Sequence, residues 1–249
     1  MRLGGRVFGV GVMGLGGVCL VWRDLILGQT LPAGLPGRVG VAWAAGVLLV
    51  VAGAGMQWRR SSAVAAVAVG MFAVVMMVVV NATVLPAHYK ELGAYFGVAE
   101  PMAIAAAALV VYAMGGRGRE TVRLVRVARV VLGGCAVFFG SAHFVYMGMT
   151  APLVPKWLPP SQVFWGYATG ACFVAAGLAL LTGIRAKLAA SLLAVMLGGF
   201  MLLVHVRVLL ADHAGVFNWS ELAMNVTILG VVWVVADSLG RESNLIHGL

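Results

Sequence analysis

Six side chains in the second half of this 249-residue chain interrupt apolar sequence with groups able to do chemistry: His143, Tyr146, His205, Arg207, Glu221 and Asn225. An ionisable group at membrane depth costs about 2.5 kcal/mol or more, so each needs a physical reason. His143 and Tyr146 are three residues apart and Glu221 and Asn225 four apart; on a helix each pair shares a face. An imidazole changes charge near neutral pH and can donate to a carbonyl, while a carboxylate beside it can take up or release a proton. Such a group could hold a polar head such as a quinone ring, with a histidine donating to one ring carbonyl and Glu221 relaying protons. The same residues also have a structural reading. Glu221 can complement the positive end of a helix, Arg207 can reach lipid phosphates, and His143 can bond a neighbouring carbonyl.

Other chemistries find less support. His143 and His205 would fall at similar depth on two helices, as a bis-histidine haem requires. There is no CxxCH, no HxxxH and no HExxH, so haem is disfavoured and no metal site is expected. His88, His213 and His247 fall in loops or the tail. Cys19, Cys135 and Cys172 lie in apolar runs without CxxC spacing and read as packing residues. No Walker, GxGxxG or GxSxG motif occurs, which excludes soluble nucleotide chemistry. Nothing in the residues decides whether the chain is an enzyme.

The elements that must position these groups follow from composition. Hydrophobic side chains make up 62% of the chain and charged ones 10%, with a mean hydropathy of +1.03. Soluble domains carry about 25% charged residues. A cytosolic enzyme, a DNA-binding module and a secreted scaffold are therefore excluded, and lipid is the expected solvent. A helical span needs about 20 apolar residues. Eight stretches qualify, at 7–22, 39–57, 61–85, 98–115, 130–150, 161–183, 188–209 and 219–237. The first resembles a signal peptide, but Val18 precedes Cys19 where lipoprotein cleavage wants a small residue, and no A-x-A follows.

The net charge of +9 encodes orientation rather than nucleic-acid binding. With eight spans, one side collects Arg2, Arg6, Arg59, Arg60, Arg117, Arg119, Arg123, Arg126, Arg129, Arg185, Lys187 and Arg241. The other holds only Arg23, Arg38, Lys90, Lys156 and Arg207. The positive-inside rule then puts both termini in the cytoplasm of a bacterial cytoplasmic (inner) membrane, and the loop APLVPKWLPP outside. Arg117 to Arg129 reads as a basic lead-in to the fifth helix that anchors on anionic lipid. Trp157, Trp165, Trp219 and Tyr167 read as an interfacial aromatic belt.

The halves resemble each other. GVLLVVAG (Gly46 to Gly53) aligns with GACFVAAG (Gly170 to Gly177), and a shift of 124 runs ungapped to about residue 85. Val64-Ala65-Ala66 then lies over Leu188-Ala189-Ala190 and Met77 over Met201; one residue out of register, Pro32 and Pro36 lie over Pro155 and Pro159. Glu100 matches Glu221 after a three-residue deletion. The expected fold is all-α and polytopic: eight transmembrane helices as two parallel-repeat four-helix bundles. The expected division is 1–116 for a first, degenerate unit, 117–129 for a cytoplasmic basic linker, 130–240 for the second unit and 241–249 for a cytoplasmic tail. In the first unit Asn81 stands where the second has His205, so a site, if present, is expected within 130–237.

GSAHF at Gly140 to Phe144, PLVPKWLPP at Pro152 to Pro160, the tract Phe164-Trp165 to Gly170, and the basic turn Arg185-Ala186-Lys187 give the second unit a resemblance to the DoxX family of small four-helix membrane proteins. That resemblance implies a membrane subunit linked to redox chemistry, associated with quinone in some members. The expected function is an accessory or redox-linked, quinone-associated subunit, with membrane lipids and partner subunits around it and no nucleic acid. A carrier for a small or lipid-like solute, or a purely structural subunit, are the alternatives.

Overall fold

The computed structural model describes residues 3–27, 29–30, 36–116 and 118–246; Arg2, Pro32, Arg117 and His247, used above, lie outside them. Almost everything described is helix. We number the long helices α1 (Leu3–Trp22), α2 (Arg38–Gly55), α3 (Ser62–His88), α4 (Phe96–Ala113), α5 (Arg119–Val145), α6 (Gln162–Thr182), α7 (Ala186–Ala211) and α8 (Val216–Ile246). Between α1 and α2, Ile26–Leu27 pairs with Gln29–Thr30 as a two-residue antiparallel bridge. Among the described residues, seven helices are long and apolar enough to cross a membrane; α5 with its bent continuation Met147–Leu153 is an eighth if the pair counts as one span.

The outward faces suit lipid as the solvent. Val64, Met71, Leu192, Val195, Leu202 and Leu210 of α3 and α7 are all more than half exposed. A monomeric soluble protein rarely displays so large an apolar surface, whereas in hydrocarbon it costs nothing. Backbone groups inside the layer are satisfied within each helix. The long apolar helices of the described chain are compatible with a multi-pass membrane protein.

Local chemistry sets several helix ends. Ser161 caps α6, its hydroxyl accepting the Phe164 N–H at 3.1 Å. Gly183, at φ 83°, terminates α6 in the left-handed conformation that favours glycine. Asp24 and Arg38 tie the end of α1 to the start of α2, with Nη2 to Oδ2 at 2.5 Å.

The helices form a closed ring in chain order: each packs on its successor, and α1 closes the ring against α8. α4 and α8 also touch each other across the middle. One hydrophobic core contains residues of both halves. Two of the tightest contacts use glycine. A Cβ on Gly16 of α1 would lie 2.7 Å from the Gly46 carbonyl oxygen of α2, and one on Gly177 of α6 would lie 2.7 Å from that of Gly133 in α5. With no side chain between them, the backbones meet, the usual source of helix association in lipid.

The fifth span departs from the straight stretch expected at 130–150. The helix begins at Arg119, so the basic lead-in is helical from that residue onward, and it stops at Val145. Tyr146 leaves helical geometry at φ −105°, ψ 35°, and the chain turns by 85° into Met147–Leu153. Thr150, whose hydroxyl donates to the Tyr146 carbonyl at 3.1 Å, fastens the turn.

Candidate functional site: a cavity between α4 and α8

A cavity of about 890 Å³ opens at the end of the ring where α5 and α7 finish and α4 and α8 begin. Helices α4 to α8 and the segment after the α5 break all contribute to its wall. Its inner surface is aromatic: Phe139, Phe173 and Phe200 touch one another in series, with ring centroids 6.2 and 6.3 Å apart, and Phe96 stacks on Phe139 at 6.1 Å.

Five of the six residues singled out from sequence face this cavity: His143, Tyr146, His205, Glu221 and Asn225. Arg207 does not. It is exposed on α7, where a guanidinium can reach lipid phosphate. His143 sits in the last turn of α5, its ring 5.2 Å from Phe173 and 6.2 Å from Phe200. Its Nδ1 is 2.8 Å from the Phe139 carbonyl oxygen. A carbonyl can only accept, so Nδ1 carries the hydrogen and Nε2 of the neutral ring is left as an acceptor. Both sequence-level readings of His143 thus coexist: one nitrogen is structural and the ring still borders the cavity. The Tyr146 hydroxyl accepts the Gly93 backbone N–H at 2.7 Å, joining the two halves of the chain at the rim.

Glu221 and Asn225 lie one turn apart near the start of α8. Asn225 is buried, and its Oδ1 has no hydrogen-bond partner among the described residues. Across from them stands a residue the sequence reading had placed outside the group: Glu100 of α4 also lines the cavity, and its Oε2 is likewise buried without a partner. The two carboxyl groups are close enough for the charge of one to act on the other. The site therefore draws on the first half of the chain and is not confined to 130–237. A signal was present in the sequence, since Glu100 and Glu221 occupy matching positions at the openings of the fourth and eighth spans.

Among the described residues, no lysine or arginine lines this cavity. Several donors on its wall are already engaged: the Thr169 hydroxyl donates to Trp165 O at 2.7 Å, Trp165 Nε1 to Pro159 O at 2.8 Å, and Asn218 Nδ2 to Asp212 O at 2.8 Å. Among the described residues no three His, Cys, Asp or Glu side chains converge as a metal site. Cys19 and Cys135 are buried and Cys172 is exposed, and no disulfide joins them. Chemically, the arrangement can hold an apolar body against phenylalanine rings and present acceptors to its head.

A family model described as a domain of unknown function (DUF8561) matches residues 132–236. That stretch runs from within α5 to within α8 and carries all five cavity residues named from the sequence, but not Glu100. No curated protein and no solved structure matches the chain.

Proposed function

We propose that this chain is a DoxX-like protein of the bacterial cytoplasmic membrane, with eight spans in two fused four-helix units, that binds one small lipid-like molecule by its polar head and acts as its carrier or accessory subunit. The observation that carries the reading is the aromatic cavity of about 890 Å³ with two carboxyl groups, Glu100 and Glu221, on its wall. A drug-sized or lipid-like ligand fits that volume, since ligand pockets span roughly 300–1,000 Å³.

The pairing of units is supported by the glycines. Gly9, Gly16, Gly46 and Gly53 sit 124 residues before Gly133, Gly140, Gly170 and Gly177, and in each set the first helix meets the second at these residues. Helix neighbours agree: exchanging the units turns the α1–α8 contact into α5–α4 and leaves α4–α8 unchanged. Units with even numbers of spans share an orientation, so their axis lies along the membrane normal. In this register Cys19 stands for His143 and Asn81 for His205, and after the three-residue deletion Ile104 stands for Asn225. The first unit's corresponding gap, between Leu15, Leu49, Phe72 and Met76, has shrunk to about 20 Å³ with an apolar lining. One unit is thus packed shut and the other open.

A quinone-associated, redox-linked role is the second reading. It is favoured by the Tyr146 hydroxyl and the His205 ring, which bring hydrogen-bond donors to the same wall. The test is mass spectrometry of organic extracts from protein purified in mild detergent. A near-stoichiometric lipid-like molecule, lost when Phe173→Trp fills the cavity, is the expected result. A quinone as that molecule would favour the second reading, and an identical extract from parent and variant would overturn the binding reading.

A further inference from the structure

We propose that the head of the bound molecule is a protonated amine, held between Glu100 and Glu221 with Asn225 Oδ1 as a third acceptor. The inference rests on the cavity being a ligand site and names the chemistry that site selects. Two carboxyl groups from different helices line the same space, close enough for the charge of Glu221 to act on Glu100, and among the described residues no lysine or arginine on the wall compensates them. An acidic pair alone would not define a ligand. The second observation is independent of charge: the buried polar atoms on this wall that lack partners, Glu100 Oε2 and Asn225 Oδ1, are both acceptors. Asn225 is 8% exposed, so bulk water offers little relief. Leaving such atoms unpaired is costly, and a ligand that donates to them removes the cost.

Three head chemistries can be compared. A phosphate or carboxylate would bring a further acidic group to the carboxyl pair and no hydrogens for Asn225. A neutral hydroxyl would donate to one acceptor but bring no positive charge against which a carboxyl group in a low-dielectric site could ionise. An ammonium supplies up to three donors and the missing positive charge together. The phenylalanine faces behind it add to the preference, because a desolvated cation is drawn to a ring face within about 6 Å. The occupant is therefore a lipophilic amine: an apolar body along Phe139, Phe173 and Phe200, with its nitrogen between the two carboxyl groups.

The experiment uses the full chain in lipid nanodiscs and three probes sharing one apolar body: phenylbutylamine, phenylbutanol and phenylbutyrate. Binding is read by calorimetry and by thermal stabilisation. The amine is expected to bind roughly ten- to hundredfold more tightly than the alcohol, the size of one charge-assisted hydrogen bond, and the acid is expected not to bind. Glu221→Gln and Glu100→Gln should each remove most of the amine's advantage while the alcohol's affinity stays the same. Alcohol and amine binding equally would overturn the amine assignment and leave the cavity reading intact, as would Gln variants that bind the amine like the parent. If none of the three binds, the cavity reading fails with it. Should a Gln variant not fold, the parent's order of affinities decides alone.

Discussion

Gly140 of α5 and Gly170 of α6 meet with nothing between their backbones: a Cβ on Gly140 would stand 2.7 Å from the Gly170 carbonyl oxygen, and one on Gly170 3.2 Å from that of Gly140. The contact lies within one turn of His143, so the spacing of these two helices also sets how far the imidazole reaches into the cavity. Gly140→Val must push α5 and α6 apart, and overpacking of this kind costs about 1–3 kcal/mol. Thermal unfolding in detergent should fall accordingly. Gly134→Ala is the control, because nothing lies within 4 Å of a Cβ there; it should be neutral or stabilising by up to roughly 1 kcal/mol. Equal effects from the two substitutions would refute the close-contact account.

Tyr146→Phe keeps the ring and removes the oxygen that accepts the Gly93 N–H. A hydrogen bond of this kind contributes about 0.5–1.5 kcal/mol. The variant should unfold at lower temperature by that margin, and amide exchange at Gly93 should quicken. Unchanged exchange would mean that another group takes the hydroxyl's place.

Reporter fusions test orientation. A reporter at the C-terminus is expected in the cytoplasm and one within 150–160 outside, since the basic loops lie on the side opposite that segment. Finding both on one side would remove an odd number of spans from the proposed topology.

An absorption spectrum tests the histidines. His143 already spends Nδ1 on the Phe139 carbonyl, which leaves Nε2 as its only free nitrogen. The purified protein is expected to show no Soret band. A band of near-stoichiometric intensity would make His143 and His205 the axial ligands.

Much of this molecule could be read before its fold was known, because lipid imposes a coarse and strict grammar. A run such as 188–209 can hardly be anything but a long apolar helix, and the matching one in the structure is Ala186–Ala211. His143, Glu221 and Asn225 were conspicuous because polar groups are rare at such positions. What periodicity does not carry is which helix touches which. Glu100 was set aside as a first-unit residue, and only the contact of α4 with α8 shows that it shares a cavity with Glu221. The break at Tyr146 was likewise hidden, since the residues on both sides are apolar and compatible with helix; the turn is fixed by hydrogen bonds to the Tyr146 carbonyl that no linear pattern announces.

The π-helical turn at Met201–His205 has a consequence for the length of α7. Closing a ring to the fifth rather than the fourth residue takes in one extra residue, and each residue of an α-helix turns the chain by about 100°. In unbroken α geometry Phe200 and Val208, eight residues apart, would point about 80° apart; with the extra residue they come within about 20° of each other, and both face the cavity. Removing a single residue from 201–205 would let α7 close as a plain α-helix and would leave Val206–Ala211 facing as they do now, because seven α-helical steps also bring the two positions within about 20° of each other. It is straightening 201–205 into α geometry with every residue kept that would turn Val206–Ala211 by about 100° and re-aim a wall of the cavity, while every other helix stays in register.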